Sequence, residues 1–165
     1  CQIATANGVE NLTLPVEHQA HKVAIKDVQI SEHSNWQLMH WRAIEAAYSS
    51  TPFFDYYKDD LEPFFEQKFT SLLDFNLRIQ TTILDLLGFA ANITLSDSYK
   101  EEYYSGEIDL RKTYHPKKKA VPLDVHLEHQ NYYQVFNHKF GFLPDLSIID
   151  LLFNMGNEAR LILKK

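Results

Sequence analysis

The spacing of apolar residues changes near residue 34, and this change constrains the fold most strongly. Before that point apolar and polar residues tend to alternate, and Asn7-Gly8 supplies the positive φ angles that a tight turn needs. The pattern predicts a β-hairpin over residues 2–16 and a third strand over 23–30. Strict alternation breaks at Lys26-Asp27 inside that third strand.

From Ser34 to about Leu87 apolar residues recur every three or four positions, which indicates helices. Ser34 and Gln37 have the form of a capping box at the start of a first helix. Thr51 followed by Pro52 is typical of the N-cap and first residue of a second helix. The chain is therefore expected to change from strands to helices within a few residues of Ser34.

The second half of the chain contains further helix and strand signals. The longest helix is predicted from about residue 70 to 87, and a short strand is predicted at 92–95. A helix is expected over 131–139, and Ser147 is expected to cap a final apolar helix over 148–155. Strands first and helices after predict an α+β fold and argue against a repeating βαβ unit.

Residues 97–130 form a long stretch without a sustained apolar period. Long irregular loops are uncommon in compact domains and are often functional, so a lid or binding loop is expected here. The length of 165 residues, with 45% hydrophobic residues, is enough for one core. We therefore expect a single domain over 1–165.

Charge and hydropathy argue against two classes of partner, nucleic acids and membranes. A net charge of −6 argues against nucleic-acid binding, and the short basic run at 117–119 is more typical of a solvated loop. The chain has no apolar run long enough to span a membrane, so a cytoplasmic location is the simplest expectation. Cys1 could carry a lipid anchor, but strand-like spacing begins at Ile3, and missing upstream sequence is the preferred interpretation.

The sequence contains few motifs that indicate chemistry. His126 and His129 lie three residues apart but lack the H-E-x-x-H spacing and a helical pattern, so no metal site and no cofactor are expected. The nucleophile elbow, the Walker motif and the dinucleotide fingerprint are all absent. These absences remove the commonest hydrolase, triphosphatase and Rossmann interpretations.

His40 is the most interesting histidine because it shares an apolar helix face with Trp36, Ile44 and Tyr48. A histidine on such a face is usually a hydrogen-bonded core residue, and a general base is the functional alternative. Both interpretations stay open from the sequence.

Several segments together carry a resemblance to a known family. They are Ile3 to Gly8, Leu12 to Val16, Trp36 with His40-Trp41-Arg42, Ala47-Tyr48, Pro52-Phe53-Phe54 with Tyr57, Asp109-Leu110-Arg111 with His115-Pro116-Lys117, Tyr133 to Phe136, Gly141-Phe142, and Leu146 to Asn154 with Gly156. The chain resembles the WbqC-like family of bacterial proteins over nearly its whole length. The resemblance implies an upstream segment, which members of that family usually carry and which is expected to be missing from this sequence.

The resemblance implies a link to bacterial surface-polysaccharide and O-antigen assembly, with glycine or acyl transfer to a sugar. For such a transferase we expect His40 or His115 as the general base. The predicted substrate-binding residues, all in the quoted segments, are Arg42, Tyr48, Asp109, Arg111, Lys117 and Gln134. Ion pairs of Arg111 and of Asp109 or Asp150 that fix the loop to the rest of the protein are an equally good explanation.

Two functions stay open. The first is an enzyme that transfers an aminoacyl or acyl group onto an amino sugar, with a sugar or an activated acyl donor as its small-molecule partner. The second is a non-catalytic binding or assembly module in the same pathway. Convergence of His40, Arg111 and His115 in one cleft would favour the enzyme. The sequence leaves the oligomeric state open.

Overall fold

The computed structural model describes residues 1–18, 21, 23–101, 106–107, 109–110 and 130–164. Two compact units are present, one formed by residues 1–91 with 131–165 and the other by 92–130. All helices and strands of the described chain lie in the first unit. The predicted short strand at 92–95 is therefore absent, while the expected single domain over 1–165 stays a prediction.

The N-terminal hairpin forms as predicted but is shorter. Strand β1 is Gln2–Thr5 and strand β2 is Gly8–Asn11, and they pair antiparallel with Thr5 opposite Gly8. The two turn residues are thus Ala6 and Asn7, one position before the predicted Asn-Gly pair. Gly8 follows the turn with a φ of +113°, a backbone angle that strongly favours glycine.

The predicted third strand over 23–30 is wrong. A 3₁₀ helix occupies Ile25–Asp27, where the alternation breaks, and only single-residue bridges follow it. Val16 pairs with Ile30, and Gln29 pairs with Ser71. Each bridge joins one pair of residues, and the two bridges connect the segment to different parts of the chain. The sheet in the described chain therefore has two strands.

Seven α-helices follow in the described chain. They are α1 Trp36–Tyr48, α2 Phe54–Leu61, α3 Pro63–Glu66, α4 Leu72–Leu86, α5 Asn137–Phe140, α6 Ile148–Met155 and α7 Ala159–Leu163. The strands therefore precede the helices, and the fold is α+β as predicted. The helix predicted over 131–139 is shortened to α5, because the chain before it is irregular and bonds to α6.

Helix caps differ from the sequence-based expectation. Ser71 caps α4 by accepting a hydrogen bond from the Asp74 amide at 3.3 Å, whereas Asn35 and Ser147 precede α1 and α6 without a side-chain cap bond. The predicted capping box is absent because the Gln37 side chain donates to carbonyls of the α3 region. Thr51 also caps no helix, since its hydroxyl donates to the Tyr48 carbonyl.

The apolar core consists of two clusters. The larger packs the hairpin, α1, α2 and α6 around side chains such as Ile3, Tyr48 and Phe153, which are fully buried. The smaller is rich in aromatic rings and includes Trp36 and Phe75, whose ring centroids lie 5.7 Å apart in an edge-to-face arrangement. Both clusters lie against α1, so this helix organises the first unit.

Candidate functional site

An apolar cavity of about 330 Å³ lies beside α1. We call it the His40 cavity; it is bounded by Leu12 and Leu14, by side chains of α1 to α4, and by Ile149 of α6. Most of its lining is aliphatic or aromatic, with His40, Asn76 and a few others as polar exceptions. Its size lies within the range of small-ligand pockets, and its lining favours an apolar ligand.

Helical spacing places His40 in this wall. Trp36, His40 and Ile44 lie four residues apart in α1, so their side chains share one face, and all three line the cavity. The His40 ring packs edge-on against the Trp36 ring at 5.3 Å between centroids. The imidazole is thus held against a rigid aromatic wall and stays half-buried.

Burial lowers the pKa of His40 below its ordinary value of 6.5. The positive amino group of Cys1 acts in the same direction, while a hydrogen bond with the Thr13 backbone and the carboxylate of Glu10 act against it. The imidazole is therefore mainly neutral at pH 7 and can accept a proton. A neutral imidazole in the wall of a pocket can accept a proton from a group bound there.

A second polar arrangement lies at the start of α6, around a buried acid. Asp150 is 1% exposed. Its Oδ2 accepts a hydrogen bond from the Tyr48 hydroxyl at 2.9 Å, and its Oδ1 accepts one from the Tyr132 hydroxyl at 2.8 Å. The Tyr48 oxygen also accepts from the Ala4 amide at 3.2 Å. The Asp150 network thereby joins the hairpin, α1, the segment before α5, and α6.

Two amides extend the Asp150 network. Gln134 donates to the Leu143 carbonyl and accepts from the Leu143 amide, both at 2.9 Å, so it closes the loop around α5. Asn154 donates to the Asp150 carbonyl at 2.8 Å and accepts from the Val135 amide at 3.1 Å. These bonds satisfy backbone groups of an irregular segment and attach it to α6.

Burial also explains the protonation of this network. It raises the pKa of Asp150, although the hydroxyls of Tyr132 and Tyr48 and neighbouring amides oppose the rise. Burial and the nearby Asp150 carboxyl raise the pKa values of Tyr48 and Tyr132 well above 10. Both hydroxyls therefore stay protonated and donate, which suits a structural clamp better than acid–base chemistry.

Comparison with known proteins identifies the family. The sequence model of the WbqC-like protein family matches residues 1–115, which is more than half of the chain. The chain belongs to this family. The matched part of this WbqC-like chain includes the hairpin, the His40 cavity wall in α1 and the whole of α4, whereas the Asp150 network lies mostly beyond it.

A curated relative extends the similarity to nearly the whole WbqC-like chain. The uncharacterized protein Rv1507c of Mycobacterium tuberculosis is 28% identical over 185 residues, which cover 96% of this chain and 77% of the relative. No solved structure matches. The name of this relative assigns no activity, so the similarity establishes the family and leaves the reaction to be inferred.

The structure places the sequence-predicted site residues in different surroundings. His40 lines the cavity, Arg42 is exposed on α1, and Tyr48 and Gln134 meet in the Asp150 network. Asp109 is half-buried in the unit formed by residues 92–130. Arg111, His115 and Lys117 lie outside the described residues. The convergence of His40, Arg111 and His115 that the enzyme requires stays a prediction, as do the substrate-binding roles.

Sequence reasoning missed the central role of Asp150. A first-turn acid at a helix N-terminus is favoured by the helix dipole, and this local explanation gives no reason to expect Asp150 to be buried. The signal lay in its neighbours, because residues 148–153 are otherwise entirely apolar, and a helix apolar on all sides is buried. An acid inside such a helix needs hydrogen-bond donors, which here come from Tyr48 and Tyr132.

Two features are absent from the part of the chain that the structure describes. Within it, no group of three or more histidine, cysteine, aspartate or glutamate residues could hold a metal ion. No helix there is long and apolar enough to cross a membrane. His126 and His129 lie outside the described residues, so the expected absence of a metal site stays a prediction.

Proposed function

We propose that this WbqC-like protein is a transferase that moves an acyl group onto an amino sugar during synthesis of a bacterial surface polysaccharide, acting in the cytoplasm. The observation that carries the proposal is the His40 cavity, an apolar space with a neutral imidazole in its wall. An acyl chain fits that lining, whereas the ammonium of an aminoacyl group would lose its hydration there. The lining thus favours acyl over aminoacyl transfer.

The reaction requires one proton acceptor. With an acyl thioester as donor, the amino nitrogen of the sugar attacks the carbonyl carbon, a C–N bond forms and the C–S bond breaks. The electron pair of the broken bond leaves on sulfur, and the proton lost by the amine passes through His40 to the thiolate. The depressed pKa of His40 keeps the imidazole ready to accept that proton.

The remaining roles rest on the family resemblance. Arg111 and Lys117 carry positive charge and are the proposed ligands of a phosphate or carboxylate on the donor. His115 is the alternative general base. Substitution of each in the full chain, measured by its effect on transfer, would rank these candidates against His40.

The binding half of the proposal can be tested with acyl thioesters of increasing chain length. Each buried methylene contributes about 0.8 kcal/mol, so calorimetry should show roughly fourfold tighter binding per added carbon until the cavity is full. Ile79→Phe, which narrows the cavity, should weaken binding of the longest chains. Leu77→Phe is the matched control, because Leu77 is also half-buried on α4 but is not among the described lining residues. Affinity independent of chain length, or an equal effect of the two variants, would contradict the proposal.

A non-catalytic binding module is the second candidate, and one observation favours it. Among the described residues predicted to form the site, only His40 lines the cavity, since Tyr48 and Gln134 bind within the Asp150 network. Acyl binding without transfer, unchanged by His40→Gln, would support the module. For the enzyme, His40→Gln should preserve binding and lower turnover by about 10²–10⁴-fold.

A further inference from the structure

A second pocket, of about 290 Å³, lies next to the His40 cavity. We call it the rim pocket; it is formed by residues 30–37 together with Lys68 and Phe69. Trp36 lines both the rim pocket and the His40 cavity. Nothing in the proposed reaction so far uses this pocket, although it shares a wall with the cavity.

The rim pocket combines three apolar side chains with a mainly polar lining. Ile30, Trp36 and Phe69 are buried, while Glu32 and Lys68 are exposed. The Glu32 carboxylate and the Lys68 ammonium lie 3.5 Å apart, so an acceptor and a donor meet at one edge. Exposed ion pairs of this kind contribute little to stability, which leaves both groups able to exchange partners.

This combination matches the surface of a monosaccharide. A sugar ring has apolar C–H faces, which pack on aromatic side chains, and a polar edge of hydroxyl and amino groups. An acyl chain has no group along its length that could hydrogen-bond the carboxylate or the ammonium, and a nucleic acid would meet Glu32 as a like charge. The rim pocket therefore suits a polar substrate, whereas the His40 cavity suits an apolar one.

We propose that the rim pocket is the acceptor subsite and binds the amino sugar, with Glu32 accepting from and Lys68 donating to its polar edge. The inference rests on the proposed function for the reaction, but the binding event stands alone. Trp36 lines both pockets, so the two substrates would bind next to each other. Its ring also packs against the His40 ring, with the two centroids 5.3 Å apart. The acceptor nitrogen would thus lie close to the proposed base.

Saturation-transfer NMR with free glucosamine and the full chain tests this subsite. Glucosamine should show saturation transfer with the wild type, and Glu32→Ala or Lys68→Ala should weaken its affinity by about tenfold, the loss of a charge-assisted hydrogen bond. Asp55→Ala and Lys58→Ala are the matched controls, because they remove an ion pair at 2.7 Å that lines neither pocket. The controls should bind glucosamine like the wild type.

Three results would overturn the acceptor subsite. The first is no saturation transfer with the wild type, and the second is equal weakening by the rim and control variants. The third is displacement of glucosamine by inorganic phosphate at equal concentration, which would make the rim pocket an anion site. Glucosamine binding that depends on Glu32 and Lys68, found together with no binding of acyl thioesters, would uphold the subsite and refute the proposed function. The reverse pair of results would refute the subsite alone.

Discussion

Removing the Tyr48 hydroxyl should destabilise the protein far more than an ordinary Tyr→Phe change. Tyr48 is fully buried, and its hydroxyl donates to Asp150 at 2.9 Å while accepting from the Ala4 amide at 3.2 Å. The Tyr48→Phe variant loses both bonds and leaves two buried polar groups one partner short. No other single hydroxyl in the Asp150 network bonds to the hairpin as well as to α6 in the described structure.

The magnitude follows from these two bonds. A hydrogen bond to a charged acceptor contributes about 1.5–3 kcal/mol, and an unsatisfied buried amide costs about 1–3 kcal/mol. Allowing for relaxation, we expect Tyr48→Phe to lower the free energy of unfolding by about 3 kcal/mol or more. For a chain of this size the melting temperature should fall by roughly 6–12 °C.

Urea denaturation measures this free energy, and Tyr57→Phe provides the control. The Tyr57 hydroxyl makes one partly buried bond, to the Asn157 side chain at 3.3 Å, so its removal should cost about 0.5–1.5 kcal/mol. A double-mutant cycle of Tyr48→Phe with Asp150→Asn should give a coupling energy of about 1 kcal/mol or more. A cost for Tyr48→Phe no greater than that for Tyr57→Phe, or a coupling near zero, would refute the reasoning.

Three further predictions concern pH and backbone geometry. Because burial raises the pKa of Asp150, the folded state binds the Asp150 proton more tightly than the unfolded state does. The stability of the wild type relative to Asp150→Asn should therefore be greatest below about pH 4 and decline as pH rises. Urea titrations at several pH values measure this difference in stability, and a difference that does not change with pH would contradict the prediction. NMR titration should give His40 a midpoint below 6.5, with a midpoint at or above 6.5 as the contrary result. Gly156→Ala should cost about 2–5 kcal/mol, since φ is +56° and the added Cβ would lie 2.6 Å from the Phe53 ring. Gly141→Ala, at φ +70° with open space around the added Cβ, should cost only about 1–2 kcal/mol. Thermal melts of both variants measure the two costs, and equal costs would argue against the clash.

Local patterns predicted much of the helical structure. The apolar spacing placed α4 within two residues of its observed ends, and Ser71 and Gly88 mark those ends by a cap bond and a positive φ. Contacts between residues far apart in sequence determine the features that the sequence did not predict. Gln37 binds carbonyls near α3 in place of the predicted capping box, and the segment around Ile30 pairs with two distant residues in place of a strand neighbour.

The candidate site was predictable only where it lies on a regular element. The spacing of α1 was enough to place His40 beside Trp36, and the structure adds that this face borders a cavity. The Asp150 network joins residues far apart in sequence, since Tyr48 and Asp150 are separated by 102 positions. No periodic pattern contains that pairing, and only the fold brings the two residues together.

The most direct test of the proposed function is to detect the transferred acyl group by mass spectrometry. The full chain would be incubated with an acyl thioester and glucosamine. Two controls would run in parallel: the His40→Gln variant, with the same fraction of protein bound to acyl thioester, and a reaction without protein. The proposed function predicts N-acylated glucosamine from the wild type, with a rate about 10²–10⁴-fold lower for His40→Gln. Product at the uncatalysed rate, or equal rates from the wild type and His40→Gln, would contradict the assignment of His40 as the general base.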